Sequence, residues 1–195
     1  MSSESIKNTI SLMLITLIAG LLLGAVYEIT KEPIAQANES AKKEAWQSVF
    51  PEASLEDFES MDIDQDVADQ VIADLGVKGT VDEVCSVKGG EEGYVITTTD
   101  GEGYGGNIQI TVGITADGTV SGISFLSISE TAGLGMKATE PAFYEQYQGK
   151  QTDKFVVSKD GGDGEPIDAL SGATFTSRAV TGAVNIALAY FQNAF

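Results

Sequence analysis

An uncharged, strongly apolar segment runs from Thr9 to Tyr27. As an α-helix, at about 1.5 Å per residue, it reaches ~30 Å, the thickness of one membrane hydrocarbon core. Tyr27 falls where an aromatic side chain suits the membrane–water interface. We therefore predict a short N-terminal tail at residues 1–8 and a single transmembrane helix at residues 9–27.

A cleaved signal peptide is the rival interpretation of this segment. The run is long for the apolar part of such a peptide, and Ala25-Val-Tyr27 is a poor cleavage site because tyrosine is bulky. A retained span is therefore favoured. Lys7 precedes the span, whereas Lys31, Lys42 and Lys43 follow it, so the positions of the basic residues leave the orientation undecided.

Composition excludes several classes of chemistry. The chain has 29 acidic and 11 basic residues and a net charge of -18, which disfavours binding to nucleic acid or to anionic lipid. It has no histidine and one cysteine, so a Ser-His-Asp or Cys-His nucleophile, attached haem, an iron–sulfur cluster and a cysteine zinc site are excluded. A redox role therefore requires an organic cofactor. Cys85 lies in a predicted strand and is expected to be a buried, inert thiol.

Residues 28–76 are predicted to form a helical stalk and connecting region. A helix is expected over about residues 30–50, with Thr30 as its cap, Pro33 in its first turn and Pro51 ending it. The acidic stretch that follows, up to residue 75, has the spacing of one or two short helices.

From residue 77 the pattern changes to alternating strands and turns, and we predict one domain over residues 77–195. A short helix is expected at residues 141–148, and a final helix from Thr176 to Asn193 presents an apolar stripe to the core. The predicted strands are Asp82–Val87, Gly93–Thr99, Asn107–Ile114, Val120–Ser129 and Lys154–Ser158. The fold class is α+β, with a mostly antiparallel sheet and flanking helices.

A glycine-rich stretch at Gly101–Gly106 matches the dinucleotide-binding pattern G-x-G-x-x-G by its letters. That pattern requires a helix directly after it, whereas a strand is predicted here. A glycine-rich connection between two strands is therefore favoured.

The stretch Asp168-Ala-Leu-Ser-Gly-Ala-Thr174 leads into the final helix, and the hydroxyls of Ser171, Thr174 and Thr176 lie around the helix start. Free backbone N–H groups at a helix start bind phosphate. If one of these hydroxyls is esterified to the phosphate of a cofactor, the chain holds that cofactor covalently and cannot lose it. The alternative is an ordinary helix N-cap, for which these residue types are also favoured.

An N-cap does not explain Gly172 and Ala173, which are too small to pack much. Small neighbours give a modifying enzyme room to bring a nucleotide to the Thr174 hydroxyl. Asp168 is placed to orient the donor or a metal ion during that transfer.

A second stretch, Glu130-Thr-Ala-Gly-Leu-Gly135, follows a long predicted strand. Its glycines allow the backbone to approach a flat ligand, and Leu134 is placed to pack on the face of that ligand.

The chain resembles the FMN-binding domain family. The resemblance rests on these two stretches, the span, the segment around Val49-Phe-Pro51 and Gly103-Tyr-Gly-Gly106. Within that family it looks like the G subunits of Rnf electron-transport complexes and, less closely, the C subunits of sodium-pumping NADH:quinone reductases. The resemblance covers nearly the whole chain. It departs at Ala132, where the family commonly has proline, so this loop is expected to be more mobile.

The resemblance implies a covalent cofactor. In the family the last threonine of the motif carries FMN through a phosphoester made by a flavin transferase from FAD, which points to Thr174. Ser171 and Thr176, with nearby backbone N–H groups, would hold the phosphate, and Glu130 is a candidate polar contact. The residues expected to line the ring system are Thr131, Leu134 and Gly135.

The resemblance also implies a function. The chain would be an electron-carrying membrane subunit of an ion-translocating ferredoxin:NAD oxidoreductase, working with other membrane and peripheral subunits and not catalysing alone. The family places the soluble domain on the extracytoplasmic side of the cell membrane. The alternatives are the quinone-reductase subunit and a flavin-free, membrane-anchored binding or assembly module.

Overall fold

The computed structural model describes residues 3–195 of the chain. They divide into two compact units, with the boundary between Ala41 and Lys42. The first unit consists of helix α1 (Ser3–Val49) up to Ala41, and the large apolar side chains of this part of the helix are exposed. Among the described residues, α1 is the one helix long and apolar enough to cross a membrane, as the sequence predicted.

Helix α1 differs from the prediction because it does not restart near residue 30. Thr30 is not a cap: its hydroxyl donates to the Val26 carbonyl at 2.9 Å, one turn back in the same helix. Pro33 lies inside the helix. Proline removes one backbone donor there, which weakens a helix locally, but the residues around it are helical on both sides. Of the predicted tail, residues 3–8 are also helical, and residues 1 and 2 lie outside the described residues.

The second unit is built on one six-stranded antiparallel sheet in which every strand pairs with its neighbours along the chain. The strands are β1 (Phe58–Met61), β2 (Gly79–Val87), β3 (Gly93–Asp100), β4 (Ile108–Thr115), β5 (Thr119–Ser127) and β6 (Lys150–Gln151). The connection from β4 to β5 is a tight turn in which Gly118 has φ 85°. The sheet confirms the predicted α+β class and its antiparallel strands.

Strand β1 was not predicted from the sequence, where only helices were expected between residues 52 and 75. It pairs with β2 through Phe58 opposite Val87. Only Phe58 of its four residues is buried, so the strand is too short and polar to show an alternating pattern. Helix α2 (Gln65–Leu75) confirms that a short helix is present in this stretch. The compact unit therefore includes residues 42–76, ahead of the predicted domain start at residue 77.

The remaining elements complete the unit. Strands β7 (Phe155–Val157) and β8 (Glu165–Ile167) form a small parallel pair. Helix α3 (Pro141–Tyr144) is shorter than predicted and is followed by a 3-10 turn at Glu145–Tyr147. Helix α4 (Thr174–Ala194) begins two residues earlier than predicted.

The sheet carries a hydrophobic core on each of its faces. Helix α4 packs on β3 and β4, and its predicted stripe is buried, with Phe191 partly buried at its end. A second cluster contains Trp46 and Val49 from the end of α1, with Phe58, and the thiol of Cys85 is buried there as predicted. The indole ring of Trp46 stacks on Phe58 with centroids 5.5 Å apart. The sheet thus lies between α4 and the end of α1.

Candidate functional site

Helix α4 begins without a side-chain cap. Its N-cap residue is Ala173, whose φ and ψ are -133° and 50°, and no capping side chain accepts from the backbone N–H groups of the first turn. The first helical bond runs from the Ser177 N–H to the Ala173 carbonyl at 3.0 Å. Within residues 3–195, the N–H groups of Thr174, Phe175 and Thr176 have no acceptor. The ordinary N-cap interpretation is therefore wrong, and the helix start offers free donors at its positive end, an arrangement that favours anions.

The loop before α4 is held by Ser177, a residue that was not predicted to take part in the site. Its buried hydroxyl accepts from the Leu170 N–H at 2.9 Å and donates to the Ala173 carbonyl at 3.0 Å. Between them Gly172 has φ 78°, a conformation that side chains other than glycine rarely adopt. A serine in the first turn of a helix is expected to bond only within that helix. The sequence therefore gives no sign that Ser177 also binds the preceding loop.

Glu130 joins the glycine-rich connection before β4 to the first turn of α4. One carboxylate oxygen, Oε1, accepts from the Gly105 N–H at 3.0 Å, and the other, Oε2, accepts from the Thr176 hydroxyl at 3.0 Å. Glu130 is 9% exposed and Thr176 is 1% exposed. Two loops far apart in sequence are thus fixed against each other at the start of α4.

A cavity of about 370 Å³ opens at this junction, within the size range of small-molecule sites. The lining residues are Tyr104, Glu130, Thr131, Leu134, Gly135, Gly172, Ala173, Thr174, Phe175 and Thr176. The structure thus brings both predicted stretches to one cavity. Two predicted residues lie outside its lining, Asp168 and Ser171.

Asp168 has partners of its own. Its carboxylate accepts from the Ser158 hydroxyl at 3.2 Å, and its N–H donates to the side-chain carbonyl of Gln146 at 2.7 Å. Ser171 is exposed in the loop. Both residues are exposed, and neither lines the cavity.

Two aromatic residues of the cavity were not predicted from the sequence. Tyr104 is 75% exposed, and Phe175 is 62% exposed between the two motif threonines. Soluble surfaces seldom expose large aromatic rings together, so these rings indicate contact with another group. The sequence signal for these two residues was a single aromatic side chain among small residues, Tyr104 within Gly101–Gly106 and Phe175 directly after Thr174.

The two threonines of the motif are not equivalent. Thr176 is buried, and its hydroxyl is bound to Glu130. Thr174 is half-buried, lines the cavity and has no hydrogen-bond partner among residues 3–195. Thr174 therefore presents the accessible hydroxyl next to the free N–H groups.

Two carboxyl groups that lie against α4 have shifted pKa values. The Arg178 guanidinium, whose Nε donates to Asp160 at 2.7 Å, lowers the pKa of Asp160. Burial raises the pKa of Asp100 to about 6, although the Glu102 N–H donates to its carboxylate at 2.7 Å. Neither group lines the cavity.

The site thus combines free N–H groups for an anion, an accessible hydroxyl and apolar and aromatic surfaces for a flat ring. Among residues 3–195, no group of histidine, cysteine or acidic side chains is arranged to hold a metal ion. The arrangement suits a phosphorylated organic cofactor.

Known families match both parts of the chain. Residues 103–189 match the FMN-binding domain, and residues 1–49 match the RnfG N-terminal region. The chain is 33% identical to the G subunit of the Na(+)-translocating ferredoxin:NAD(+) oxidoreductase complex of Acetobacterium woodii, covering 96% of this chain and 91% of that protein. It is 31% identical to the G subunit of the proton-translocating complex of Clostridium ljungdahlii, covering 96% and 95%. Among solved structures, the C subunit of the Na(+)-translocating NADH-quinone reductase of Parabacteroides distasonis overlaps 56% of this chain and 59% of that chain, at 25% identity and a TM-score of 0.46.

Proposed function

The chain belongs to the family of G subunits of ion-translocating ferredoxin:NAD oxidoreductase complexes, and from that premise we propose how it works. It is a membrane-anchored flavoprotein subunit that carries electrons through FMN between other subunits of the complex. Electron flow in that complex drives Na⁺ or H⁺ across the membrane. The chain does not catalyse this reaction alone.

The proposed attachment of the cofactor is a phosphoester between FMN and Thr174. The observation that carries it is the accessible Thr174 hydroxyl, which lies in the cavity beside free N–H groups at the start of α4. A phosphate at this position gains from the helix dipole and from charge-assisted hydrogen bonds. The buried Thr176 cannot be reached in the same way without breaking its bond to Glu130.

The other residues of the cavity position the cofactor. The N–H groups of Phe175 and Thr176 bind the phosphate, with Ser171 close by on the loop. The ring system contacts Thr131, Leu134 and Gly135, and the exposed rings of Tyr104 and Phe175 add aromatic surface. FMN supplies the redox chemistry, and the protein tunes and positions it.

A separate flavin transferase makes the bond in this proposal. The Thr174 hydroxyl attacks the FMN-side phosphorus of FAD, the bond between the two phosphates breaks, and AMP leaves. The loop suits such an enzyme because Gly172 is exposed and adds no side chain beside the hydroxyl. Asp168, which is exposed in the loop, orients the donor or its metal ion.

The soluble unit is proposed to lie on the extracytoplasmic side of the membrane. The family resemblance supports this side, since the lysines around the span leave the orientation open.

The test is in-gel flavin fluorescence after co-expression with a flavin transferase and full denaturation. We expect a fluorescent band for the wild type and for Thr176→Ser, and none for Thr174→Ala. Thr174→Ala should leave the fold intact, because this side chain is half-buried and makes no internal hydrogen bond among residues 3–195. Absence of a band from the wild type would support a flavin-free assembly module instead.

A further inference from the structure

Glu130 places a negative charge in the wall of the cavity. Its two oxygens accept from the Gly105 N–H and from the Thr176 hydroxyl. Both partners act as donors, which suits an ionised carboxylate because that group can only accept. Glu130 takes part in none of the ion pairs found among residues 3–195. The charge is therefore held by neutral donors and is not compensated by a cation.

Glycine backbone fixes the position of this carboxylate. A Cβ atom added to Gly103 would come within 2.8 Å of Oε1, and one added to Gly135 would come within 2.7 Å of Oε2. Side chains at either position would displace Glu130. The carboxylate is thus enclosed by close backbone, with 9% of the residue exposed, so solvent screens its charge less than that of a surface acid.

We propose that Glu130 lowers the reduction potential of the flavin held in this cavity, an inference that rests on the proposed function. Reduction brings electrons into the cavity, and a fixed negative charge in its wall opposes that uptake. Glu130 itself gains and loses no electrons, since the donor and the acceptor are neighbouring subunits. A carboxylate bound to two neutral donors thus acts as a positioning residue and as a source of negative potential.

The first experiment compares Glu130→Gln with Glu102→Gln in the flavin-loaded, full-length protein by spectroelectrochemical titration. Glutamine keeps the size of Glu130 and removes its charge. We expect Glu130→Gln to shift the oxidised-to-reduced ratio at fixed potential by about tenfold toward the reduced form, which is ~30 mV for a two-electron couple. Glu102 is an exposed acid next to Gly103, and its variant should match the wild type. Equal potentials for Glu130→Gln and the wild type would overturn the proposal.

Glu130→Asp separates charge from shape. It keeps the negative charge while shortening the side chain, so its potential should stay closer to that of the wild type than to that of Glu130→Gln. Equal shifts in both variants would show that cavity shape sets the potential, which contradicts the proposal.

A second variant covers the case in which Glu130 substitutions do not fold. Thr131 is exposed and lines the same cavity, so Thr131→Lys adds a compensating positive charge at the cavity wall. We expect the reduction potential of the flavin in Thr131→Lys to rise, as in Glu130→Gln. An unchanged reduction potential would overturn the proposal. The in-gel flavin fluorescence of each loaded protein is recorded first. Absence of the fluorescent band from the wild type refutes the proposed function. A fluorescent band with unchanged reduction potentials in the variants refutes only the role of Glu130.

Discussion

At the scale of single residues, the structure separates side chains that look alike in the sequence. Thr174 and Thr176 lie two positions apart in one motif, yet one hydroxyl is accessible and the other is bound to Glu130. The difference comes from Glu130, which lies on another loop. A linear motif can therefore predict which residues gather at a site, but the partner of each hydroxyl depends on tertiary contacts that the sequence does not display.

Asp100 gives a prediction at the same scale. Burial raises its pKa to about 6, above the ordinary value of 3.8. The folded protein therefore binds the Asp100 proton more tightly than the unfolded chain does. This difference contributes fully to the free energy of unfolding below pH 3.8, and the contribution is lost as the pH rises through about 6. We expect Asp100→Asn to be more stable than the wild type at pH 8, by on the order of 1–2 kcal/mol after solvent screening.

The measurement is denaturant unfolding of both proteins between about pH 4 and pH 8. The difference in free energy of unfolding should shrink toward zero as the pH falls to the acid end of this range. A difference that stays constant would show that the charge of Asp100 is not its source.

At the scale of secondary-structure elements, long patterns were predicted well and short ones were not. The stripe of α4 and strands β2 to β5 follow from periodicity because each element is long and has a buried face. Strand β1 has one buried residue, and Pro33 carries a local signal for a helix start that the continuous helix α1 overrides. Local signals therefore failed where an element was short or where a longer helix continued through them.

The contact between the end of α1 and the sheet gives a prediction for elements. Gly113 of β4 lies opposite Gly122 of β5, and Val49 packs over both. A Cβ atom on Gly113 would come within 2.8 Å of Val49 Cβ and closer still to Ser121, whereas one on Gly122 would be 3.8 Å from Val49. We expect Gly113→Ala to destabilise the protein by about 1–3 kcal/mol through overpacking.

Gly122→Ala is the matched control and should change stability by less than ~0.5 kcal/mol. Thermal unfolding of the detergent-solubilised, full-length protein measures both variants. Equal effects of the two substitutions would show that close packing against Val49 does not explain the glycine at position 113.

At the scale of the whole molecule, the chain joins a helix that can span a membrane to an acidic unit, which carries the cavity proposed to hold FMN. The span, the α+β class and most of the residues around the cavity were predicted from the sequence, because each has a local pattern. Tyr104 and Phe175 as cavity residues and the glycine enclosure of Glu130 were not, since these depend on how two distant loops meet.

The proposed side of the membrane is tested on intact cells. Cys85 is buried and should not react with a maleimide in the folded protein. The wild type therefore serves as the unlabelled control. The exposed Glu91 is replaced in a Glu91→Cys variant and treated with a membrane-impermeant maleimide. We expect labelling of the variant without cell lysis. Labelling only after lysis would place the soluble unit in the cytoplasm.

The most direct test of the central claim is peptide mapping of the flavin-loaded protein. Trypsin cleaves after Lys159 and Arg178, and the released peptide contains Ser171, Thr174, Thr176 and Ser177. Fragment-ion spectra should carry the mass of an FMN phosphoester on Thr174 and leave the other three hydroxyls unmodified. A fluorescent protein whose FMN mass lies on another residue, or whose peptide from 160 to 178 is unmodified, would contradict FMN attachment at Thr174.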